Sequence, residues 1–324
     1  MASFGDYNRV NTNVTAMDAQ LSLNKINRDL GDSRLRLSTG FKINNAEDDA
    51  AGFAIATKLK SRVAGLEQAL QNVSDAKSVL GVVEGAYGSI MDNLIEMKSL
   101  LTQGANETLG STERGYLATQ IEALTTDIND IAKSTKFNGI GLLDGNSSSG
   151  SGGTMSDSVT LTFQVGEGTT DTMAVELTAV NTGMLFSSTT GANRAESASN
   201  TLGASASGDI TLAANTSTAR GVLDITGSAD EADFNHFMGD VDTAIGLLNG
   251  HINQIGINQR SLSGKEVNLT EAITANSAAK SRIMDTDFAK EQSNSIRLQI
   301  LQQTATAALS QANMGPQAVL GFLG

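Results

Sequence analysis

The sequence predicts a mainly α fold: an elongated antiparallel helical bundle with terminal coiled-coil helices, a β-hairpin and a small central β-rich insert. Apolar residues recur at alternating spacings of three and four over residues 52–101 and again over 234–283, a pattern typical of helices that wind around a partner. Aromatic residues make up only 4 % of the chain, and tryptophan and cysteine are absent. Seams of Ala, Leu and Ile suit helices packed side by side.

The first helix is predicted at residues 14–37 and ends at Gly40. Alanines and a serine weaken its apolar seam, so we expect it to order only when it packs against a partner. Asn44 or Asn45 is expected to cap the next helix, with three acidic residues at 47–49 in its first turn. The apolar positions of the seam are Leu23, Ile26, Leu30 and Leu37.

The second helix carries a long apolar stripe that begins at Ile55 and is interrupted only by Arg62. At about 1.5 Å per residue it would be roughly 75 Å long and could not bury that stripe alone. The stripe at 234–283 and a shorter one at Leu117, Ile121, Leu124, Ile128 and Ile131 are its expected cover. The predicted rod core comprises Leu59, Leu66, Val73, Leu80, Val83, Ile90 and Leu94, with Leu248, Ile255, Leu262 and Leu269.

The middle of the chain changes character. The segment FNGIGLLDG at 137–145 predicts a turn leading into a hairpin. After a Ser/Gly-rich joint, apolar and polar residues alternate over 159–165 and 173–177, which predicts two strands. The motifs ITLAA and VLDIT predict two more. We expect a loosely packed surface module here that a Gly/Ser linker could replace.

The C-terminal helix is predicted to return along the first. Its assigned seam is Leu298, Leu301, Ala305, Ala308 and Ala312. Pro316 and nearby glycines end it, leaving an apolar tip that needs a cover: Val319, Leu320, Phe322 and Leu323. The expected domains are residues 1–45 with 285–324 (terminal coiled coil), 46–145 with 230–284 (helical rod with hairpin), and 146–229 (variable surface insert).

Composition excludes several function classes. The net charge of -13 argues against nucleic-acid binding, and no apolar run reaches the roughly twenty residues that span a bilayer. The N-terminus lacks the pattern of a signal peptide. His236 and His251 would lie about 22 Å apart on one helix, and no HExxH motif or nucleophile–base set occurs. We therefore predict no enzymatic activity, cofactor or metal site.

Both terminal segments closely resemble bacterial flagellin. The segments that carry the resemblance are VNTN (10–13), LRLSTGFKINNAEDDAAGFAIA (35–56), SRIMDTDFAKEQSN (281–294) and QILQQTATAALSQAN (299–313). The resemblance implies a structural subunit that polymerises into the helical flagellar filament for motility. It also implies export in an unfolded state by the flagellar type III route and folding on assembly. The implied partners are further copies of the chain, an export chaperone for the C-terminal segment, the filament cap and hook-junction proteins; the implied location is the extracellular filament.

Two positions depart from relatives that the mammalian Toll-like flagellin receptor detects. The resemblance places Glu96 where those relatives carry arginine and Gln120 where they carry glutamate, so we expect weak receptor activation. Two alternative functions remain open. A hook–filament junction protein would have similar terminal helices. A secreted adhesin ranks lower, because the insert offers only Phe163 and Phe186 for stacking on sugars.

Overall fold

The computed structural model describes residues 12–144, 158–186, 200–201, 210–212, 223–225 and 231–320. The chain divides into two compact units, Met1–Ala64 with Ala272–Gly324 and Gly65–Glu271. The helices are α1 (Val14–Thr39), α2 (Ala50–Gly104), α3 (Ser111–Ser134), α4 (Thr182–Leu185), α5 (Glu231–Met284) and α6 (Phe288–Leu320). The strands are β1 (Lys136–Phe137), β2 (Ile140–Gly141), β3 (Ser158–Gln164), β4 (Thr172–Thr178), β5 (Asn200–Thr201), β6 (Ile210–Leu212) and β7 (Leu223–Ile225). The mainly α class is confirmed, and β5 is a strand that the sequence did not predict.

In the terminal unit, α1 and α6 pack as an antiparallel pair. The Asn13 side-chain amide donates to the carbonyl of Ala312 at 2.8 Å, and Gln302 donates to the Asn27 side chain at 2.7 Å. Beyond the other end of α1, Phe41 and Asp285 form an antiparallel β-bridge. Helices α1 and α6 are therefore held in one register over the whole length of α1.

The connection between α1 and α2 differs from the prediction. Gly40 ends α1 as expected, with φ of 76° and its N–H donating to the carbonyl of Arg36. Neither Asn44 nor Asn45 caps α2; their backbone N–H groups donate to Asp48 Oδ2 at 2.9 and 3.0 Å. The cap is Asp49, whose Oδ1 accepts from the first-turn N–H groups of residues 51 and 52.

In the second unit, α2 and α5 run antiparallel and bury the predicted seam. Lys77 pairs with Glu266 at 2.9 Å, while Lys98 pairs with Asp242. Every seam position of α2 from Leu66 to Leu101 is buried: Leu66, Ala69, Val73, Ala76, Leu80, Val83, Tyr87, Ile90, Leu94, Met97 and Leu101. The seam does not extend back to the predicted start in the terminal unit, where Ile55 is 53 % exposed and Ala56 is buried instead.

The third helix of this unit buries a slightly different stripe from the predicted one. Leu124 and Ile131 are half-buried, and Thr125 and Ala132 are buried instead. A short polar residue fits there because the Thr125 hydroxyl donates to the carbonyl of Glu122 at 2.7 Å. The buried positions are Leu117, Ala118, Ile121, Thr125, Ile128 and Ala132.

An arginine fastens the start of α3 to the end of α2. Arg114 Nε donates to the carbonyl of Gly104 at 3.1 Å, and its guanidinium also donates to the carbonyl of Asn106 at 3.2 Å. The same group lies 3.6 Å from the Glu231 carboxylate at the start of α5. Three helix ends are thereby joined, because a guanidinium offers several donors in a fixed fork.

The predicted hairpin after α3 is confirmed as the pair β1–β2. Asn138 and Gly139 form its turn with φ of 49° and 81°. Two successive residues with positive φ define a type I′ turn, for which Asn-Gly is the preferred sequence.

The first two strands of the predicted insert are confirmed and pack on α2. Strands β3 and β4 pair antiparallel, with Val159 opposite Leu177 and Leu161 opposite Val175. The Tyr87 hydroxyl on α2 donates to the carbonyl of Thr178 at 2.9 Å. This hairpin is a structural layer of the second unit, because its inward side chains are buried together with the core of α2.

The segment after β4 is joined to the residues that follow β2 and to α3. Val180 N–H donates to the carbonyl of Leu143, and the Asn181 side chain donates to the carbonyl of Asp144. The Thr182 N–H and hydroxyl both donate to Asn129 Oδ1, at 3.0 and 2.9 Å. Buried polar groups paired in this way fix the position of the short helix α4.

Candidate assembly site

The contact between α1 and α6 brings together the two terminal seams that the sequence predicted. Leu30 and Leu298 are buried at its centre, next to Ser33 and Ser295. Half-buried positions complete the seam on both helices: Leu23, Ile26, Leu37, Ala305 and Ala312. The two serines and two alanines in this seam bury less apolar area than leucine or isoleucine would at the same positions, so they contribute less to holding the pair together.

Two predicted seam residues of α6, Leu301 and Ala308, are wrong. Both are exposed, whereas Gln302 and Leu309 are half-buried at the contact with α1. The prediction stepped three residues from Leu298 to reach a leucine, but the helix steps four. Gln302 occupies the seam because its amide donates to the Asn27 side chain, which satisfies a polar group there.

A second apolar stripe lies on the outward side of each terminal helix. On α1 it comprises Val14, Met17, Leu21 and Leu35; on α6 it comprises Ile296, Ile300 and Met314. Leu21 is 67 % exposed and Ile300 is 59 % exposed. With about 3.6 residues per turn, these positions lie nearly opposite the α1–α6 seam. These positions were not predicted, although their spacings of three, four and fourteen residues keep each set on one side of its helix.

Large apolar side chains on both outward sides of a thin helix pair are unusual for a surface that stays in water. Single exposed apolar residues need no explanation, but aligned ones mark surfaces that another molecule covers. The stripes therefore give the α1–α6 pair the features of an interaction site, with its own seam providing the geometry and the outward stripes providing the contact area.

The predicted rod-core residues of the second unit are brought together. Those on α2 from Leu66 onward and Leu248, Ile255, Leu262 and Leu269 on α5 are all buried. Leu59, in the terminal unit, is half-buried. Tyr87 also packs on His251, with ring centroids 6.2 Å apart, and burial raises the pKa of its hydroxyl.

Two carboxylates in the described ranges have a shifted pKa. Backbone N–H groups of Asn45 and then Asn44 hold the pKa of Asp48 below its usual value, with Arg36 adding to the effect. Burial raises the pKa of Asp240, which His236 opposes. Among the residues that the structure describes, no group of three or more His, Cys, Asp or Glu side chains could hold a metal ion.

The remaining predicted positions have simpler outcomes. Glu96 and Gln120 are exposed. At the predicted apolar tip, Phe322 and Leu323 lie outside the described residues, as do the side chains of Val319 and Leu320. Across the helices whose residues are described, none is both long and apolar enough to cross a membrane.

Comparison with known proteins identifies the family. The bacterial flagellin N-terminal helical region matches residues 10–148, and the bacterial flagellin C-terminal helical region matches residues 238–323. The chain is 32 % identical to flagellin of Bacillus subtilis (strain 168) and 31 % identical to flagellin D of Vibrio anguillarum; each alignment covers 97 % of this chain and 99 % of the relative.

A solved structure of Bacillus cereus flagellin is also similar, with 23 % identity, a TM-score of 0.41, and coverage of 61 % of this chain and 88 % of that one. At this TM-score the family assignment rests on the sequence matches. Those matches include both terminal regions, to which α1 and α6 belong, and nearly the full length of two curated relatives. The chain therefore belongs to the bacterial flagellin family, the structural subunits of the extracellular flagellar filament.

Proposed function

We propose that the α1–α6 pair is the element through which this flagellin polymerises, and that neighbouring copies cover its outward apolar stripes. The observation that carries the proposal is the exposure of Leu21 and Ile300 on opposite sides of a weak internal seam. Burying a leucine or isoleucine side chain contributes about 1.5–3 kcal/mol, so several such contacts per subunit would drive association. A contact that repeats head to tail without closing builds an open helical polymer.

The weakness of the seam supports coupling between folding and assembly. An α1–α6 pair with Ser33 and Ser295 at its centre gains little from closing alone. Contacts with neighbouring copies would supply the missing stabilisation. We propose that the chain is exported unfolded by the flagellar type III route and orders its ends when it joins the filament.

We propose a separate role for each of the three domains expected from the sequence. Residues 1–45 with 285–324 form the inner coiled coil, 46–145 with 230–284 form the rod, and 146–229 face outward. Within 146–229, the hairpin β3–β4 packs on Tyr87 of α2, so in experiments on the insert this hairpin should be treated as part of the rod.

Further partners belong to this proposal. An export chaperone would bind the apolar tip Val319, Leu320, Phe322 and Leu323 before assembly, and the cap and hook-junction proteins would contact the ends of the filament. The mammalian Toll-like receptor should respond weakly, because Glu96 places a negative charge where responsive relatives have arginine. A receptor-reporter assay with a full response to purified monomer would contradict this expectation.

The test of polymerisation uses charge insertion on the outward stripes. Leu21→Glu and Ile300→Glu should each prevent growth on seeds, because a carboxylate would be buried between subunits. Ser22→Glu adds the same charge at an exposed neighbouring position outside the stripe and should still polymerise. Seeded assembly followed by negative-stain electron microscopy and sedimentation measures the outcome.

Circular dichroism of each unpolymerised variant checks that the helices of the second unit remain. Normal filaments from both stripe variants would refute the assembly surface. Deleting residues 300–324 should also leave the second unit folded and abolish filaments. Wild-type monomers that elongate under no seeding condition would instead favour a junction protein or an adhesin.

A further inference from the structure

Two methionines stand apart from the others in the described part of the chain. Met17 is 62 % exposed and Met314 is 60 % exposed, whereas Met97 and Met184 are buried. The remaining described methionines are half-buried: Met91, Met173, Met238 and Met284. Because the chain has no cysteine and no tryptophan, its thioethers are the side chains most easily oxidised by peroxide.

Both exposed methionines lie at the same end of the α1–α6 pair. The hydrogen bond from Asn13 to the carbonyl of Ala312 marks that end. Met17 follows Asn13 by about one helical turn, and Met314 follows Ala312 by two residues. Each belongs to the outward apolar stripe of its helix, so one end of the pair presents a thioether on both sides.

We propose that Met17 and Met314 form a reversible oxidation site that controls polymerisation, with hydrogen peroxide as the class of oxidant. The thioether sulfur attacks one peroxide oxygen, an S–O bond forms, the O–O bond breaks, and water leaves. Methionine is oxidised by two electrons to the sulfoxide, and peroxide is reduced. The inference rests on the proposed assembly role of the outward stripes.

The chemical change acts directly on the contact that the stripes offer. A thioether is flexible and apolar and packs well against irregular surfaces. A sulfoxide is polar and loses water when it is buried against a neighbouring subunit. Each sulfoxide should raise the critical concentration for polymerisation about tenfold. Filaments should resist the same treatment, because neighbouring copies would cover both sulfur atoms.

The experiment exposes wild-type monomer and preformed filament to hydrogen peroxide and measures oxygen addition at each methionine by peptide mass spectrometry. We expect Met17 and Met314 to oxidise first in the monomer, Met97 and Met184 to stay unmodified, and both exposed sites to be protected in filaments. Seeded sedimentation then gives the critical concentration before oxidation, after oxidation, and after repair by methionine sulfoxide reductases.

The matched control is the double variant Met17→Leu/Met314→Leu, which keeps apolar side chains of similar volume without sulfur. Its critical concentration, whatever the value before treatment, should be the same after peroxide. Oxidation of both sites without a change in critical concentration would overturn the inference, and so would equal sensitivity of the leucine variant. A failure of the proposed function would be seen in a separate result, namely normal filament growth by the variants Leu21→Glu and Ile300→Glu.

Discussion

Replacing Gly104 by alanine should destabilise the second unit, although alanine is the better helix former. Gly104 is the last residue of α2 and its φ is not in the left-handed region, so alanine meets no backbone strain there. A Cβ at this position would lie closer than 3.0 Å to ring carbons of Phe234. That ring is fully buried and cannot move away.

The two opposing effects can be compared. Helix propensity favours alanine by about 0.5–1 kcal/mol, and by less at a helix end. Overpacking a buried site costs about 1–3 kcal/mol. The steric effect wins, and we expect a net loss of about 1–2 kcal/mol in the free energy of unfolding. For a unit of this size, that loss lowers the melting temperature by roughly 2–8 °C.

Gly85→Ala is the matched control within the same helix. Gly85 is exposed, and a Cβ there would meet nothing within 4 Å. This substitution should raise stability by about 0.5–1 kcal/mol. The two variants are compared by thermal unfolding of the monomer, with far-UV circular dichroism as the signal.

A double-mutant cycle tests the cause. In a Phe234→Ala background, Gly104→Ala should no longer destabilise, because the ring that it would strike is gone. If Gly104→Ala raised the melting temperature in the wild-type background as Gly85→Ala does, the steric argument would be refuted.

Three further predictions concern contacts within one or the other unit. Tyr87→Phe removes the hydrogen bond to the partly buried carbonyl of Thr178 and should reduce the free energy of unfolding by about 0.5–1.5 kcal/mol, measured by urea denaturation. Because the pKa of Asp48 is lowered in the folded chain, its contribution to stability is present above the ordinary value of 3.8 and is lost as pH falls through the lowered one. In acid, the amide chemical shifts of Asn44 and Asn45 should change as their hydrogen bonds to the Asp48 carboxylate are lost. Asp48→Asn should abolish this pH dependence of the two amide shifts, and the same pH dependence in that variant would contradict the prediction. Deleting residues 158–186, the β3–β4 hairpin together with α4, should destabilise the second unit by several kcal/mol, because Val175 and Leu177 are fully buried and each contributes about 1.5–3 kcal/mol. Wild-type stability after that deletion would restore the expectation that a Gly/Ser linker can replace the whole of 146–229.

The helices could be predicted from the sequence because periodicity reports directly on burial. The stripe from Leu66 to Leu101 has one apolar residue at every step, so only one helical face could be its core. The Asn-Gly pair at 138–139 likewise leaves few backbone conformations for a hairpin turn. In both places a local rule and the tertiary structure agree.

The sequence did not predict which of several nearby residues caps a helix or which of two neighbouring residues enters a seam. Several side chains near the start of α2 could cap a helix. Asp49 is the cap, because the Asp48 carboxylate already accepts from the backbone N–H groups of Asn44 and Asn45. In α6, Leu301 is the more apolar residue, yet Gln302 enters the seam because Asn27 lies opposite it. Such choices depend on a partner distant in the sequence, and periodicity carries no information about it.

The pairing of α1 with α6 also sets an order in time. Asn13 and Ala312 are 299 residues apart, so closing that contact directly from an unfolded chain would cost about 5 kcal/mol in loop entropy beyond a constant term. Pairing α2 with α5 first, at Lys77 and Glu266, shortens the loop that remains open. The middle of the chain should therefore fold before the α1–α6 pair closes. Under the proposed export of the unfolded chain, that pair would close only after both helices had left the channel.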